Sequence, residues 1–538
     1  MYIKSTMWVW LAVARVLIVT GRLAEPIIKR VLAEVKTSHE VDVLVTPVEV
    51  AAFLTAEYIA QYLKQRSVRG YDYILIPGLT RGSGRVIEEA TGIKTVKGTI
   101  NAHDLVEILK LGDLNILSPD IPADSVLSSI IEERSKEILR MFESSLTYEN
   151  SITIGNLKVP LNSPPIRVAA EITEVHLADD KRLIEEALKY IESGADIIVL
   201  GFEALHPHPD KVYRAVRVIK SELDVPVAVD TSIPSEINSA MQAGVDVIVN
   251  IDLTNIDKVE HVDKDVAIVT IPRNPITNTI PKEPNVRVTL LEKSVNTIKS
   301  RGFEKVLADA VLEPFGQFFS SLLAYYMFKQ RNPQIPLFAS VSNVTELVDV
   351  DSVGINASIV MIAQEIGVST ILVVERSVKA QGSTLEVKIA SQMATLAHYK
   401  NSPPENLGVS LLILKDKRRY DVEFKGEYDV IVEAFEEEKP YTLDPLGVFK
   451  IRVNRELNYI EALYVGRKGR VLIRGKSAKA IQNKILELEL ISQLSHAMYL
   501  GRELEKAEIA LQLGKNYIQE EPLFTKPKYI KLAESRKT

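Results

Sequence analysis

The sequence predicts an α/β protein. A central (β/α)8 TIM barrel is flanked by an amino-terminal Rossmann- or flavodoxin-like α/β domain and a carboxyl-terminal α+β domain. Three observations predict this. Between Ile166 and Ala380, eight short apolar runs alternate with stretches of helical periodicity. Strands alternating with helices build a parallel sheet, and eight repeats close it into a barrel. Nearly every run ends in a polar residue, and the carboxyl ends of barrel strands are where such folds put ligand-facing side chains. Finally, 538 residues exceed what one core holds. The expected domains are 1–150, 160–400 and 405–538, with Pro-, Asn- and Ser-rich boundaries at Ser151–Pro165 and Asn401–Glu405.

In the first domain, Arg15–Thr20, Val41–Thr46 and Tyr71–Pro77 read as buried parallel strands. Helical patterns cover Val48–Gln65, Ala102–Leu111 and Asp124–Ser145. The turn Gly78–Gly84 precedes a helix over Arg85–Thr91. It is either a tight surface turn or a phosphate or partner contact, since glycines let backbone N–H groups approach an anion. It is neither a P-loop nor a dinucleotide fingerprint. Upstream, Met7–Thr20 is apolar but too short to span a bilayer, and is read as a first strand with a ragged start rather than a targeting signal.

The barrel strands are expected at Arg167–Glu171, Asp196–Gly201, Val225–Val229, Val245–Val249, Val266–Ile271, Lys305–Ala308, Pro336–Val341 and Thr370–Val374. They deliver, in turn, Glu171 and Thr173; Glu203; Asp230; Asn250 and Asp252; Arg273; Asp309; Ser342 and Asn343; Glu375 and Arg376. In the last domain, Leu411–Lys415, Tyr428–Glu433, Val448–Asn454, Ile460–Val465 and Arg470–Ile473 are strand-like. Ala478–Gly501 and Glu503–Leu513 are helical. Lys476 and Ser477 open a helix, either as an anion site or as an N-cap with basic neighbours. His496 is either a packed helical histidine or an acid–base group.

Composition narrows the classes. The 65 basic and 71 acidic residues leave a net charge of −6. No global basic excess marks a nucleic-acid partner, although an average hides a local patch. There are no cysteines, which excludes thiolate catalysis, disulfides and Cys-ligated metals and fits a cytoplasmic protein. No membrane partner is expected.

Several stretches of the barrel resemble the pterin-binding family, in particular dihydropteroate synthase. They are Glu171-Ile-Thr173, Gly194–Gly201, Pro226-Val-Ala-Val-Asp-Thr231, Ala243–Asn250 and Leu307-Ala-Asp309. With its flanking domains the chain resembles an archaeal dihydropteroate synthase-related protein. The resemblance implies that Asp230, Asn250 and Asp309 hold the pterin ring, Asp309 and Asp230 on its donor edge and Asn250 on its mixed edge. Chemistry gives an independent reason. A pterin edge carries an exocyclic amine, a ring N–H and a carbonyl, and a recessed carboxylate accepts from the first two. As a structural alternative, Asp230 caps the following helix.

The loop Gly201–Pro207 resembles the synthase's glycine–glutamate–serine–threonine–arginine–proline segment. Glu203 keeps the acid, and His206 stands where the synthase has arginine. His206 and His208 are either ordinary loop histidines or, for His206, ligand-facing. No metal site is expected, because no further ligands stand at reachable spacing.

The chain departs from the synthase where the leaving diphosphate is met. Glu171 replaces an asparagine, Ser342-Asn343-Val344 replaces a serine–arginine–lysine, and Glu375 with Arg376 replaces an arginine–x–histidine. Arg273 and Arg376 are the candidate catalytic cations, and Mg2+ with a diphosphate substrate would bridge the acids. Asn343 instead resembles the superfamily's pterin-dependent methyltransferases, where an asparagine lies near pterin N5.

The implied activity is condensation of a hydroxymethyl-dihydropterin diphosphate with an arylamine, in folate- or tetrahydromethanopterin-type cofactor biosynthesis. The alternatives are methyl transfer with a corrinoid protein, or a non-catalytic pterin-binding protein. A homodimer is implied by resemblance alone.

Overall fold

The computed structural model describes residues 13–111, 113–260, 263–416, 429–435 and 443–525. The chain divides into two compact units, one of Met1–Glu375 with Ser383–Leu414, the other of Arg376–Gly382 with Lys415–Thr538.

The first unit opens with four parallel strands: β1 (Arg15–Thr20), β2 (Glu40–Val45), β3 (Tyr73–Ile76) and β4 (Lys94–Lys97), in the order β2-β1-β3-β4. β4 was not expected; it is only four residues long and lysine stands at both ends. The expected helix Val48–Gln65 is a 3-10 turn, Ala51–Phe53, followed by a helix over Ala56–Gln65 whose N-cap, Thr55, accepts from Tyr58 N. The helix expected over Ala102–Leu111 likewise begins as a 3-10 turn and ends at Leu109.

The Gly78–Gly84 turn serves packing. A Cβ on Gly78 would stand 2.7 Å from Gly98 O, so two backbones approach there, and Ser83 caps the helix Gly84–Thr91 by accepting from Arg85 N. A cavity of about 430 Å3, walled in part by Ile18, Leu23, Ile27, Leu75, Ile100 and His103, opens at the carboxyl ends of β1, β3 and β4. Residues 1–12, with most of the apolar leader, lie outside the described residues.

Ser151–Pro165, expected as a linker, contains an antiparallel hairpin, β5 (Ser151–Ile154) and β6 (Leu157–Pro160). Its two-residue turn is Gly155-Asn156, with Gly155 at φ 55. Ile154 and Val159 are fully buried and pack into the barrel among Ala169, Val199, Val247 and Phe338. Arg167, at the entry to the first barrel strand, holds the hairpin. Its Nε donates to Lys158 O at 2.8 Å, and its two terminal nitrogens grip Glu143 at 2.7 Å each.

The barrel strands are β7 (Arg167–Ile172), β8 (Ile197–Gly201), β9 (Val227–Asp230), β10 (Val247–Val249), β11 (Ala267–Thr270), β12 (Val306–Ala308), β13 (Leu337–Ser340) and β14 (Val368–Val374). They close in sequence order, all parallel, with β14 returning to β7. Each strand is apolar along nearly its whole length because it is covered on both faces: one set of side chains fills the interior, the other packs under the helices. Ser135 Oγ donates to Leu407 O at 2.7 Å, and Lys400, at the end of the helix Ser383–Lys400, pairs with the buried Asp104.

In the second unit, β15 (Gly447–Asn454), β16 (Tyr459–Gly466) and β17 (Gly469–Gly475) form an antiparallel sheet with helices over Ala478–Glu487 and Leu494–Gln512. The helix break falls at 488–493, not at Arg502; Gly501 sits inside the second helix. The strands expected at Leu411–Lys415 and Tyr428–Glu433 are absent from the described part of those stretches, and Tyr428 lies outside it. Ser477 is an N-cap that accepts from Ala480 N, and His496 is buried 3.3 Å from Asp444. No helix of the described residues is long and apolar enough to cross a membrane.

Candidate functional site

The mouth at the strands' carboxyl ends collects the polar residues. Asp230 is the last residue of β9 and lies level with Val249, so the next residue of β10's strand line, Asn250, reaches it. Asn250 Nδ2 donates to Asp230 Oδ1 at 2.6 Å. Asn250 has φ 74, a left-handed conformation that asparagine tolerates better than most residues. Asn255 locks this corner. Its Nδ2 donates to Asn250 O at 3.0 Å and to Ser232 O at 3.1 Å, and its Oδ1 accepts from Asp252 N at 2.9 Å. Asp230 is held by Asn250 and does not cap a helix.

Asp309 follows β12 directly and is buried. Its Oδ1 accepts from Val311 N at 2.7 Å and from the Tyr325 hydroxyl. Val311 has φ 64, rare for a β-branched residue. Its carbonyl accepts from Nη1 of Arg287 at 2.8 Å, and Arg287 is itself fully buried. Burial pushes the Asp309 carboxyl up to about 6, against the Tyr325 and Val311 hydrogen bonds, with the Asp230 charge adding to the rise. Burial also raises Asp230, with the Asn250 hydrogen bond opposing. The Oδ2 atoms of Asp230 and Asp309 accept no hydrogen bond among the described residues.

Arg273 is anchored, its Nε donating to Oδ2 of the fully buried Asp252 at 2.8 Å. Its terminal nitrogens have no hydrogen-bond partner among the described residues. Asn343 lies in the short helix Ser342–Thr345 and donates through Nδ2 to Leu312 O at 3.0 Å. The Glu171 carboxylate lies over Gly201, where a Cβ would collide with it, so glycine there makes room for the acid. Thr173 is half-buried one residue beyond β7. Glu375 Oε1 accepts from Thr384 N at 2.9 Å. Arg376 belongs to the second unit.

The loop histidines separate. His206 is 75% exposed and only approaches Glu203 Oε2, at 3.4 Å. His208 is turned inward instead, with Nε2 2.6 Å from Glu203 Oε1. His176, in the loop after β7, comes within 3.8 Å of the same oxygen. The His176 and His208 rings stack at 4.6 Å and 7°. His208 first, then His206, holds the Glu203 carboxyl below its ordinary range. The absence of further ligands at reachable spacing was thus a wrong expectation: strands β7 and β8 are neighbours, so their loops meet whatever their separation along the chain.

Sequence reasoning missed His176, Tyr325, Arg287, Asn255 and Glu236. Tyr325 left a signal. It falls on the buried stripe Ser321, Ala324, Tyr325, Phe328 of its helix, and a buried tyrosine hydroxyl needs a partner. The others show no local pattern.

Residues 171–374 match the family described as pterin binding enzyme, 14–99 match a family of unknown function (DUF6513), and 443–520 match the family PterinBD-DUF4346. The chain is 37% identical over 527 residues to the uncharacterized protein MJ0107 of Methanocaldococcus jannaschii, covering 95% of this chain and 99% of that one. It is 35% identical over 86 residues to the uncharacterized protein ycf91 of Pyropia yezoensis, covering 14% of this chain and 74% of that one. Among solved structures, Yersinia pestis dihydropteroate synthase with a pterine-sulfa conjugate covers 46% of this chain and 99% of its own, at TM-score 0.38 and 16% identity. Dihydropteroate synthase of Xanthomonas albilineans with 7,8-dihydropteroate covers 45% and 96%, at TM-score 0.35 and 15% identity. The chain belongs to the family of the Methanocaldococcus jannaschii protein, and its barrel, over residues 171–374, matches the pterin binding enzyme family.

Proposed function

We propose that the barrel holds a reduced pterin between Asp230, Asn250 and Asp309, and joins a hydroxymethyl-dihydropterin diphosphate to an arylamine. One observation carries the reading: two carboxylates from separate strands, both raised chiefly by burial, each keep an oxygen that no donor among the described residues occupies. A ligand edge bearing an amine and a ring N–H supplies the missing donors.

In the reaction the bond between the pterin methylene carbon and the diphosphate oxygen breaks, and diphosphate leaves with the electron pair. The arylamine nitrogen forms the new C–N bond and releases its proton to diphosphate or water. The amine is neutral near pH 7, so no strong base is required. Arg273, fixed through Asp252, offers the developing oxyanion two terminal nitrogens. Mg2+ carried by the diphosphate would lower its charge before Glu171 and Glu375.

Asn343 favours a second reading. Its Nδ2 is committed to Leu312 O, so its Oδ1 remains as an acceptor suited to a pterin N–H, as in methyl transfer from a methylated pterin to a corrinoid. The test is titration with reduced pterins in diphosphate and methyl forms, followed by turnover. The synthase reading expects tighter binding of the diphosphate form and arylamine-dependent diphosphate release. Methyl loss to a cobamide would replace it with the second reading, and binding with neither reaction would leave a pterin-binding protein. Unchanged affinity of Asp309→Ala for every pterin would refute the ring site itself.

A further inference from the structure

His176, Glu203 and His208 bring one ligand atom each within 4.8 Å of one another. Three features set this apart from an ordinary ion pair. Two imidazoles stack face to face beside one carboxylate, although a single ring at 2.6 Å already satisfies it; were both rings protonated, they would repel. The His176 side chain is only 11% exposed; its Nε2 is the nitrogen 3.8 Å from Glu203 Oε1, and its Nδ1 is buried without a hydrogen-bond partner among the described residues. The backbone at both loops is held in place independently of the rings. His208 N donates to Oε1 of the fully buried Glu236 at 2.8 Å, and Glu236 Oε2 accepts from Thr231 Oγ1 at 2.5 Å. Arg214 Nη2 donates to Ala178 O, two residues beyond His176, at 2.9 Å.

We propose that His176, Glu203 and His208 form a binding site for a divalent transition-metal ion of the Zn2+ class, with a coordination position left for water or a substrate oxygen. Two imidazoles and one carboxylate are the donor set that zinc and its neighbours take, and three protein ligands leave a place open. Mg2+ and Ca2+ want oxygen donors throughout and fit poorly. Ligands around a four-coordinate zinc stand roughly 3.3 Å apart. Here the carboxylate oxygen is 2.6 Å and 3.8 Å from the two rings, so side-chain rotation alone brings the set into range. The proton shared by His208 and Glu203 is the one the metal displaces.

The site adjoins the ring recess. Gly201, two residues before Glu203, is the ladder partner of Asp230, and Thr231 links that corner to His208 through Glu236. Metal binding stands on this geometry alone. Only the next step rests on the synthase reading: the open position would take a diphosphate oxygen, supplying positive charge at a mouth lined by Glu171 and Glu203.

The experiment strips the full chain with a chelator, titrates Zn2+ by calorimetry and records the visible absorption of the Co2+ form. A single ion per chain is expected, with Co2+ bands of low coordination number and no displacement by excess Mg2+. His176→Ala and His208→Ala should each weaken Zn2+ by at least about a hundredfold, more than loss of a supporting hydrogen bond typically does. Affinity should fall as the solution is made more acid, because protons compete with the metal for its ligand atoms. Where an alanine variant fails to fold, Glu203→Gln and His208→Gln read the same quantity at conserved volume. No stoichiometric ion in the wild type, or unchanged affinity in the variants, overturns the site. Pterin titration of the stripped protein separates the two readings: pterin bound without a Zn2+ site sinks only this proposal, and Zn2+ bound without pterin affinity sinks only the ring site.

Discussion

Asp309 binds its proton up to about pH 6 because burial strips water from the carboxylate, and the neighbouring Asp230 charge works in the same direction. The folded value lies above the ordinary 3.8, so the folded chain holds the extra proton between roughly pH 4 and 6. Stability contributed by this group therefore falls as pH rises through that window, and above it the buried charge costs about 3 kcal/mol in full. Asp309→Asn should raise unfolding stability in urea at pH 7.5 by about 1–3 kcal/mol while weakening pterin binding by about a hundredfold or more. A variant that is both less stable and still binds would contradict this account. In the wild type, pterin affinity should drop about tenfold per pH unit below pH 6, read by fluorescence titration, because only the ionised acid accepts two donors.

At the scale of elements, the turns after the strands carry the conformational load. Asn250 at φ 74 does two jobs, a left-handed turn and a hydrogen bond to Asp230. Asn250→Gly removes only the second, and Asn250→Ala removes both. Alanine should therefore be less stable than glycine by about 1 kcal/mol in chemical unfolding; equal stabilities would argue against the left-handed turn. The strand ends were legible because an apolar run covered on both faces stops where the chain reaches the mouth, which put Asp230, Asn250 and Asp309 among the residues there; only the family resemblance singled these three out. What they touch was not. Nothing near Arg273 in the sequence announces the buried Asp252, and nothing near Glu203 announces His176, since the barrel joins neighbours by strand order rather than by spacing. The hairpin was misread although Gly155-Asn156 between alternating residues marks a two-residue turn; the prolines and serines around it outweighed that signal. Conversely, Val430-Ile431-Val432 is apolar yet exposed and unpaired in any strand, because an apolar run becomes a strand only where a sheet edge receives it.

Over the whole molecule, the same hairpin acts as a stopper at the barrel's amino-terminal end. Ile154 and Val159 are fully buried against the interior side chains. Ile154→Ala should cost about 2–4 kcal/mol of unfolding stability. It should leave pterin affinity within about threefold, since additivity holds for sites with no shared partners. A large loss of affinity at unchanged stability would mean the recess reaches the floor. With that end filled by packed side chains, a ring held between Asp230 and Asp309 as proposed would come and go by the opposite mouth. Under the proposed reaction the partner seated deepest would then enter first, and would depart only after whatever stands in front of it has cleared the threshold.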